Sequence, residues 1–83
     1  MIQRKEKNPE DIAFQKEFGK YIKSGREKLC LYQNQVAEQL GLSQQYYSKI
    51  ENGIRNVDFV LALKICNLLK LDINDFIKTK INP

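Results

Sequence analysis

Apolar side chains recur at helical spacing along most of the chain, and turn or capping residues interrupt the pattern. Asn8-Pro9 suits a helix start, since Asn caps well and Pro fits the first helical position. Gly41 and Asn52-Gly53 are helix stop signals. The pattern predicts five helices, at about Pro9–Leu29, Gln33–Leu40, Gln44–Asn52, Phe59–Leu69 and Ile73–Thr79.

Capping residues mark the later helix starts. Ser43 and Asp58 suit the N-caps of the third and fourth helices. Asp72, with Asp75 three residues later, resembles a capping box for the fifth. No run alternates in the manner of a strand, so the predicted fold class is all-α. The predicted organisation is a flexible N-terminal arm at residues 1–8, one domain at residues 9–80 and a C-terminal tail at residues 81–83.

Composition narrows the possible functions. The chain has 83 residues, with 14 Lys plus Arg against 10 Asp plus Glu, which gives a formal charge of +4. This mild basic bias permits nucleic acid as a partner without demanding it. There is no His, so the commonest general base and an imidazole metal ligand are both missing. We therefore expect no enzyme activity, no catalytic residues, no metal and no cofactor.

Cysteine usage and hydropathy bear on location. Cys30 and Cys66 stand alone, which favours a reducing, cytoplasmic setting. Cys66 lies among apolar residues and is expected to be a small core side chain. No apolar run approaches the roughly 20 residues of a membrane span, and the N-terminal stretch lacks the apolar region of a secretory signal. We expect no membrane association.

The segment Gln33 to Gly53 is the most informative part of the chain. Its two predicted short helices flank a turn at Gly41, which is the plan of a helix-turn-helix. Tyr47 and Ile50 can bury one side of the second helix. The other side carries amide, hydroxyl and ammonium groups, on Gln44, Gln45, Tyr46, Ser48 and Lys49. Such a face can offer hydrogen bonds to base edges in a major groove.

Four stretches in order carry a resemblance to a known family. They are FGKYIKSGRE, QNQVAEQLGLS, YYSKIENGIRN and LKICNLLKLDINDF. Together they resemble the Xre/Cro-type helix-turn-helix family of phage repressors, Cro proteins and small bacterial regulators, over about residues 18–77. The resemblance implies a five-helix, lambda-repressor-like DNA-binding domain. In this family's known docking geometry the third helix enters the major groove.

The resemblance also implies which residues read bases. Gln44 and Gln45 match base-reading positions near the start of the recognition helix, and a Gln amide can bond bidentately to adenine. Lys49 lies on the same face and can reach guanine or a phosphate. Outside this motif the same side chains would be interpreted as solvated surface groups.

Further positions match phosphate-contacting and structural residues of the family. Gln33 matches a position that touches phosphate and can brace the recognition helix. Arg26 and Glu51 match a salt bridge that ties the first helix to the third. Tyr46 stays open between stacking on sugar-phosphate and covering the edge of the core. The phosphate-contacting set is Gln33, Tyr46, Ser48, Asn52, Arg55 and Asn56.

Four positions depart from the family pattern. These are Gly25 where a core Leu is common, Cys30 where Gly often ends the first helix, Tyr32 in place of a Ser or Thr cap, and Val57 in place of a frequent Pro. Gly25 either weakens the helix or lets another backbone come close. All four lie outside the recognition face, so they concern local geometry more than function.

The fourth predicted helix is apolar nearly all round, which is typical of a helix buried on more than one side. Its expected core stripe is Phe59, Ala62, Leu63, Cys66 and Leu69. The helix also has apolar residues outside that stripe, namely Val60, Leu61, Ile65 and Leu68. The surplus suggests a homodimer. The predicted dimer interface is Leu61, Leu68, Ile73, Phe76 and Ile77.

Together these features favour a sequence-specific, double-stranded DNA-binding transcriptional regulator. We expect a repressor or small operon controller that acts as a homodimer on a near-palindromic operator. The alternative is an antitoxin-like module of the same fold whose main partner is another, unknown protein. The recognition face carries no outward Asp or Glu, and this favours DNA.

Overall fold

The computed structural model describes residues 9–81 and contains five helices in that range, which confirms the predicted all-α fold. They are α1 (Pro9–Lys28), α2 (Gln33–Leu40), α3 (Gln44–Glu51), α4 (Phe59–Leu68) and α5 (Ile73–Ile81). Each predicted boundary agrees to within two residues. Helix α5 extends one residue into the predicted tail. The predicted arm, with its Asn8 cap, and residues 82–83 lie outside the described residues.

Residues with a left-handed backbone follow each of the first four helices, and they are Cys30, Gly41, Gly53 and Lys70. Gly41 has φ 71° after α2, and its N–H donates to the carbonyl of Glu38 over 3.1 Å. Cys30 has φ 58° after α1, at the position where the family often has Gly. A left-handed residue at this point lets the next N–H groups satisfy the last carbonyls of the helix. The N–H of Leu31 accordingly donates to the carbonyl of Arg26 over 3.2 Å.

Side chains cap all three predicted helix starts, and only the capping box predicted for the fifth helix is corrected. Ser43 Oγ accepts the N–H of Tyr46 over 3.1 Å, and Asp58 Oδ1 accepts that of Leu61 over 2.8 Å. Asp72 Oδ1 instead accepts the N–H of Asn74 over 2.9 Å. This bond goes to the second residue of the helix, where the third was expected, so Asp72 caps α5 without forming the predicted capping box.

Tyr32 stands at the N-cap of α2 without a side-chain cap. Its N–H donates to Gln35 Oε1 over 2.7 Å. This is the returning half of a capping box, so one of the two usual bonds survives where the family has Ser or Thr.

Helix α1 lies against the C-terminal end of α3 because two glycines admit the close approach. A Cβ on Gly19 would collide with the carbonyl oxygen of Glu51. Gly53 has φ 74°, and a Cβ there would lie 2.7 Å from Lys16 Cα. Gly25, further along α1, meets the side chain of Leu71 rather than a backbone: a Cβ would lie 2.6 Å from Leu71 Cδ1.

Phe76 on α5 packs into a cluster of aromatic rings from α1. Its centroid lies 5.1 Å from that of Phe14, 5.4 Å from that of Phe18 and 5.2 Å from that of Tyr21. The Phe76 ring is only 4% exposed. Its assignment to a dimer interface is therefore corrected, because its own chain already covers the ring.

The core-facing side of α4 also differs from the prediction. Phe59 is 66% exposed and Leu63 is exposed, although both were expected in the core. Ile65, expected among the surplus, is fully buried. The face turned inward is Ala62, Ile65, Cys66 and Leu69. An apolar helix has no polar side to orient it, so tertiary packing decides its rotation.

Among the residues that the structure describes, no helix combines the length and hydropathy needed to cross a membrane.

Candidate nucleic-acid interface

A buried ion pair fixes α3 relative to α1. Arg26 Nε donates to Glu51 Oε2 over 2.7 Å, and Arg26 Nη2 donates to Glu51 Oε1 over 3.1 Å. The two residues are 9% and 3% exposed. Arg26 Nη1 also donates to the carbonyl of Leu31 over 2.8 Å. A bidentate contact of this kind specifies the orientation of the two helices as well as stabilising them.

Gln33 extends the same network to α2. Its Nε2 donates to Glu51 Oε1 over 2.9 Å, and the side chain is half-buried. The first residue of α2 is thus bonded to the last residue of α3. The bracing role that the family resemblance implied for Gln33 is visible here as a hydrogen bond.

The network sets the charge state of its members. Burial alone would raise the pKa of Glu51, but the hydrogen bonds from Arg26 and Gln33 outweigh it and hold this pKa below its ordinary value. The bond to Glu51 raises the pKa of Arg26 against the opposing effect of burial. Burial, together with the Glu51 carboxylate, raises the pKa of Tyr47. Both members of the ion pair are therefore charged at neutral pH.

Tyr47 lies at the centre of the core and is fully buried. Its hydroxyl has no hydrogen-bond partner within the described part of the chain. Tyr47, Ile50 and Glu51 together form the inward side of α3. This side is occupied by packing and by the ion pair, so only the opposite side of α3 is free to meet a ligand.

Three polar side chains lie on that opposite side. Gln44, Gln45 and Lys49 are all exposed. In residues 9–81 no other side chain forms a hydrogen bond or salt bridge with them. The acidic residue of α3, Glu51, points into the protein. The exposed side therefore presents amide donors and acceptors and one cation, with no carboxylate from its own helix.

Further polar groups flank this face. Asn52 Nδ2 donates to Ser48 Oγ over 3.4 Å, and the Asn52 side chain is exposed. Asn56 is also exposed, and its Oδ1 accepts the N–H of Val57 over 3.0 Å. The sequence prediction placed these three polar residues at phosphates, and the structure puts all three beside or just after α3.

The loop after α3 folds back onto the helix. The N–H groups of Ile54 and Arg55 both donate to the carbonyl of Lys49, over 2.9 and 3.2 Å. The guanidinium carbon of Arg55 lies 5.3 Å from the centroid of the Tyr46 ring. Sequence reasoning assigned both residues to phosphates but missed this stacking, because a pair nine residues apart across a turn has no helical spacing to reveal it.

An apolar groove opens beside the same loop. It has a volume of about 340 Å³ and lies between the first half of α1, the start of α4 and α5. Phe14, Phe59 and Ile77 are among its lining residues, with Arg55 and Asp58 at its polar edge. We call it the α1/α4/α5 groove.

Comparisons with known proteins agree with this geometry. Residues 22–76 match a family described as Helix-turn-helix. A relative from a Mycoplasma species, named Control protein C.MunI, is 49% identical over 49 residues. The aligned part covers 58% of this chain and 66% of that protein. The family match includes α2, the turn, α3 and the ion-pair residues, and on these grounds the chain belongs to the Xre/Cro-type helix-turn-helix family of DNA-binding regulators.

Proposed function

We propose that this protein is a sequence-specific, double-stranded DNA-binding transcriptional regulator that inserts α3 into the major groove. The observation that carries the proposal is the two-sided character of α3. One side is locked by Tyr47, Ile50 and the Glu51 ion pair, and the other presents unengaged polar groups. A rigid helix with free amides and a cation is suited to hydrogen-bonding base edges.

We assign base reading to Gln44, Gln45 and Lys49. Gln44 and Gln45 occupy the first turn of α3, which is the end that contacts bases in this docking geometry. Phosphate contacts are assigned to five residues of the surrounding set, namely Gln33, Ser48, Asn52, Arg55 and Asn56, whereas Tyr46 is half-buried and packs against the core. Gln33 Nε2 donates one of its two N–H groups to Glu51, so the second N–H remains to donate to a phosphate.

The proposed active form is a homodimer. Phe59 and Val60, at the start of α4, are 66% and 59% exposed, and Leu63 follows one turn later. A contiguous exposed apolar patch is typical of an interaction surface. We propose that a second copy of the chain covers this patch and the adjoining α1/α4/α5 groove, which Phe59 also lines. Of the interface residues predicted from the sequence, Leu61, Leu68, Ile73 and Ile77 are half-buried and stay in the proposal at its margin.

A two-fold dimer suits a near-palindromic operator, with recognition helices spaced about 34–36 Å apart to meet successive major grooves. The Mycoplasma relative is named a control protein. We extend that role to this chain, as a repressor or small operon controller. The predicted cytoplasmic location belongs to the same proposal.

A second candidate function is an antitoxin-like module that binds another protein. The exposed Phe59, Val60 and Leu63 favour it, because the same apolar patch can receive a different partner. The two candidates differ in what the face of α3 does, and a DNA-binding experiment separates them.

The experiment is selection of bound sequences from a random duplex pool at stated salt, since affinity for DNA depends steeply on salt. We expect a palindromic consensus with half-sites about one helical turn apart. The matched control is Gln39→Ala, at an exposed amide on α2 beside Leu68, which should select the same consensus. Enrichment of no sequence at all would contradict the proposal and favour the protein-binding alternative.

A further inference from the structure

The Tyr46 ring is held in a fixed position at the edge of α3. The backbone N–H of Tyr46 donates to Ser43 Oγ, and this bond anchors the residue in the first turn of α3. The side chain is half-buried and packs against the core cluster. A ring supported in this way has little freedom left, so it can serve as a platform for another group.

Arg55 lies on that platform. Its backbone is tied to α3 by the bond from its N–H to the carbonyl of Lys49, and its guanidinium carbon is 5.3 Å from the Tyr46 centroid. This distance is within the range of a cation–π contact. The ion pairs of the described residues, Lys20–Glu17 and Arg26–Glu51, do not involve Arg55. Its charge is therefore held by a ring face and is not neutralised by a carboxylate.

Stacking leaves the binding capacity of the guanidinium intact. The guanidinium carbon lies over the Tyr46 ring, and within residues 9–81 none of the guanidinium N–H groups donates to a protein acceptor, so they remain available to a phosphate. An unsupported arginine on a loop must lose rotamer freedom when it binds, and this loss lowers affinity. An arginine already stacked on a fixed ring has lost part of that freedom before DNA arrives.

We propose that Tyr46 is a positioning residue that pre-orders Arg55 for a DNA phosphate, and that it does not itself contact DNA through its hydroxyl. The inference rests on the proposed function, because it assigns Tyr46 a part within that interface. It replaces the sequence-based assignment of Tyr46 as a direct phosphate contact. It also accounts for why the ring, rather than the hydroxyl, faces the cation.

The first test needs no DNA. In the NMR spectrum of the free protein, the ring current of Tyr46 should shift the Arg55 side-chain signals upfield. Tyr46→Phe keeps the ring and should keep the shift, whereas Tyr46→Leu should abolish it. An Arg55 shift that is the same in all three proteins would overturn the stacking.

The second test is a double-mutant cycle on DNA affinity, with Tyr46→Leu, Arg55→Gln and the double variant. Tyr46→Leu should weaken binding about two- to fivefold, as expected for an exposed cation–π contact. Its salt slope should stay at the wild-type value, while Arg55→Gln should flatten the slope by about 0.9. Tyr46→Phe should bind like wild type. In the Arg55→Gln background, Tyr46→Leu should cost nothing further.

Two results would overturn the positioning role. One is an equal, additive loss from Tyr46→Leu in both backgrounds, which would make Tyr46 an independent contact. The other is a loss in Tyr46→Phe as large as that in Tyr46→Leu, which would assign the effect to the hydroxyl. If the wild-type protein keeps the NMR shift but binds no duplex, the proposed function fails while the stacked pair stands, so the two failures are distinguishable.

Discussion

Glu51 shows how one residue can belong to the proposed recognition helix without lying on the side that we propose binds DNA. The sequence places it in the middle of a polar segment, where an acid would repel phosphate. The structure turns it inward, bonded to Arg26 and Gln33. Its negative charge is thereby removed from the recognition face and used to hold α1, α2 and α3 together.

Glu51→Gln should destabilise the fold by about 3 kcal/mol, because it leaves the buried Arg26 charge without its partner. The measurement is urea unfolding at pH 7. Lys20→Gln is the control, since it removes the exposed pair with Glu17 and should cost less than about 1 kcal/mol. A loss no larger than that of the control would show that the buried pair contributes little.

The same variant gives a pH dependence of known sign. The pKa of Glu51 is lower in the folded protein than its ordinary value of 4.5. The stabilisation that the Arg26–Glu51 ion pair gives to the folded state is therefore complete above pH 4.5. It is lost as the pH falls through the lowered pKa of Glu51 in the folded protein. We expect the difference in unfolding free energy between wild type and Glu51→Gln to shrink from pH 5 downward. A difference that grows on acidification would contradict this assignment.

At the scale of single elements, helix bounds were predictable because capping and stop residues act locally. Ser43, Asp58 and Gly41 each behave as their chemistry predicts, and the helices begin where they should. The rotation of α4 was not predictable, because an almost wholly apolar helix carries no periodic signal. Phe59 is exposed and Ile65 is buried for reasons that lie in the neighbouring helices.

The candidate site was likewise predictable where it depends on local helical spacing, and it was not predictable where it depends on tertiary packing. Gln44, Gln45 and Lys49 share a face by helical spacing alone, and the structure leaves that face open. The stacking of Arg55 on Tyr46 and the packing of Phe76 on α1 were missed. Both depend on chain segments that meet across a turn or across the whole domain.

The packing of α1 on α3 gives a prediction that opposes helix propensity. Alanine favours a helix over glycine by about 1 kcal/mol. Gly19→Ala should nevertheless destabilise the protein by a net of at least about 1 kcal/mol, because its Cβ would collide with the backbone carbonyl of Glu51. Gly25→Ala should cost less, since its Cβ meets only the end of the flexible Leu71 side chain.

Thermal unfolding checks this order, with Ser24→Ala as the control at an exposed position of the same helix. The control should be neutral or slightly stabilising, because alanine is the better helix former. If Gly19→Ala were stabilised as much as Ser24→Ala, the close approach of α1 to α3 would be wrong.

At the scale of the whole molecule, the exposed apolar patch on α4 gives the test of assembly. Val60→Asp should convert a dimer to monomers in sedimentation while the single chain stays folded, because Val60 is exposed in the single chain. Ser24→Asp introduces a carboxylate at an exposed position in the second half of α1, outside the groove lining, and should remain dimeric. Phe76→Asp would be a poor test, since it places a charge in the aromatic cluster and should unfold the chain.

A Val60→Asp protein that sediments like the wild type would place the interface elsewhere. The half-buried residues of α5, Ile73 and Ile77, would then be the next to examine.

The variant Gln45→Ala tests whether the exposed side of α3 reads DNA sequence. Affinities are measured at one stated salt for a panel of operators, each with one base pair changed. We predict that the wild type loses about 1–3 kcal/mol at the position read by Gln45. The variant should lose that discrimination and keep it at every other position, and Gln39→Ala should behave like wild type. An equal loss of affinity for every sequence would contradict base reading by Gln45.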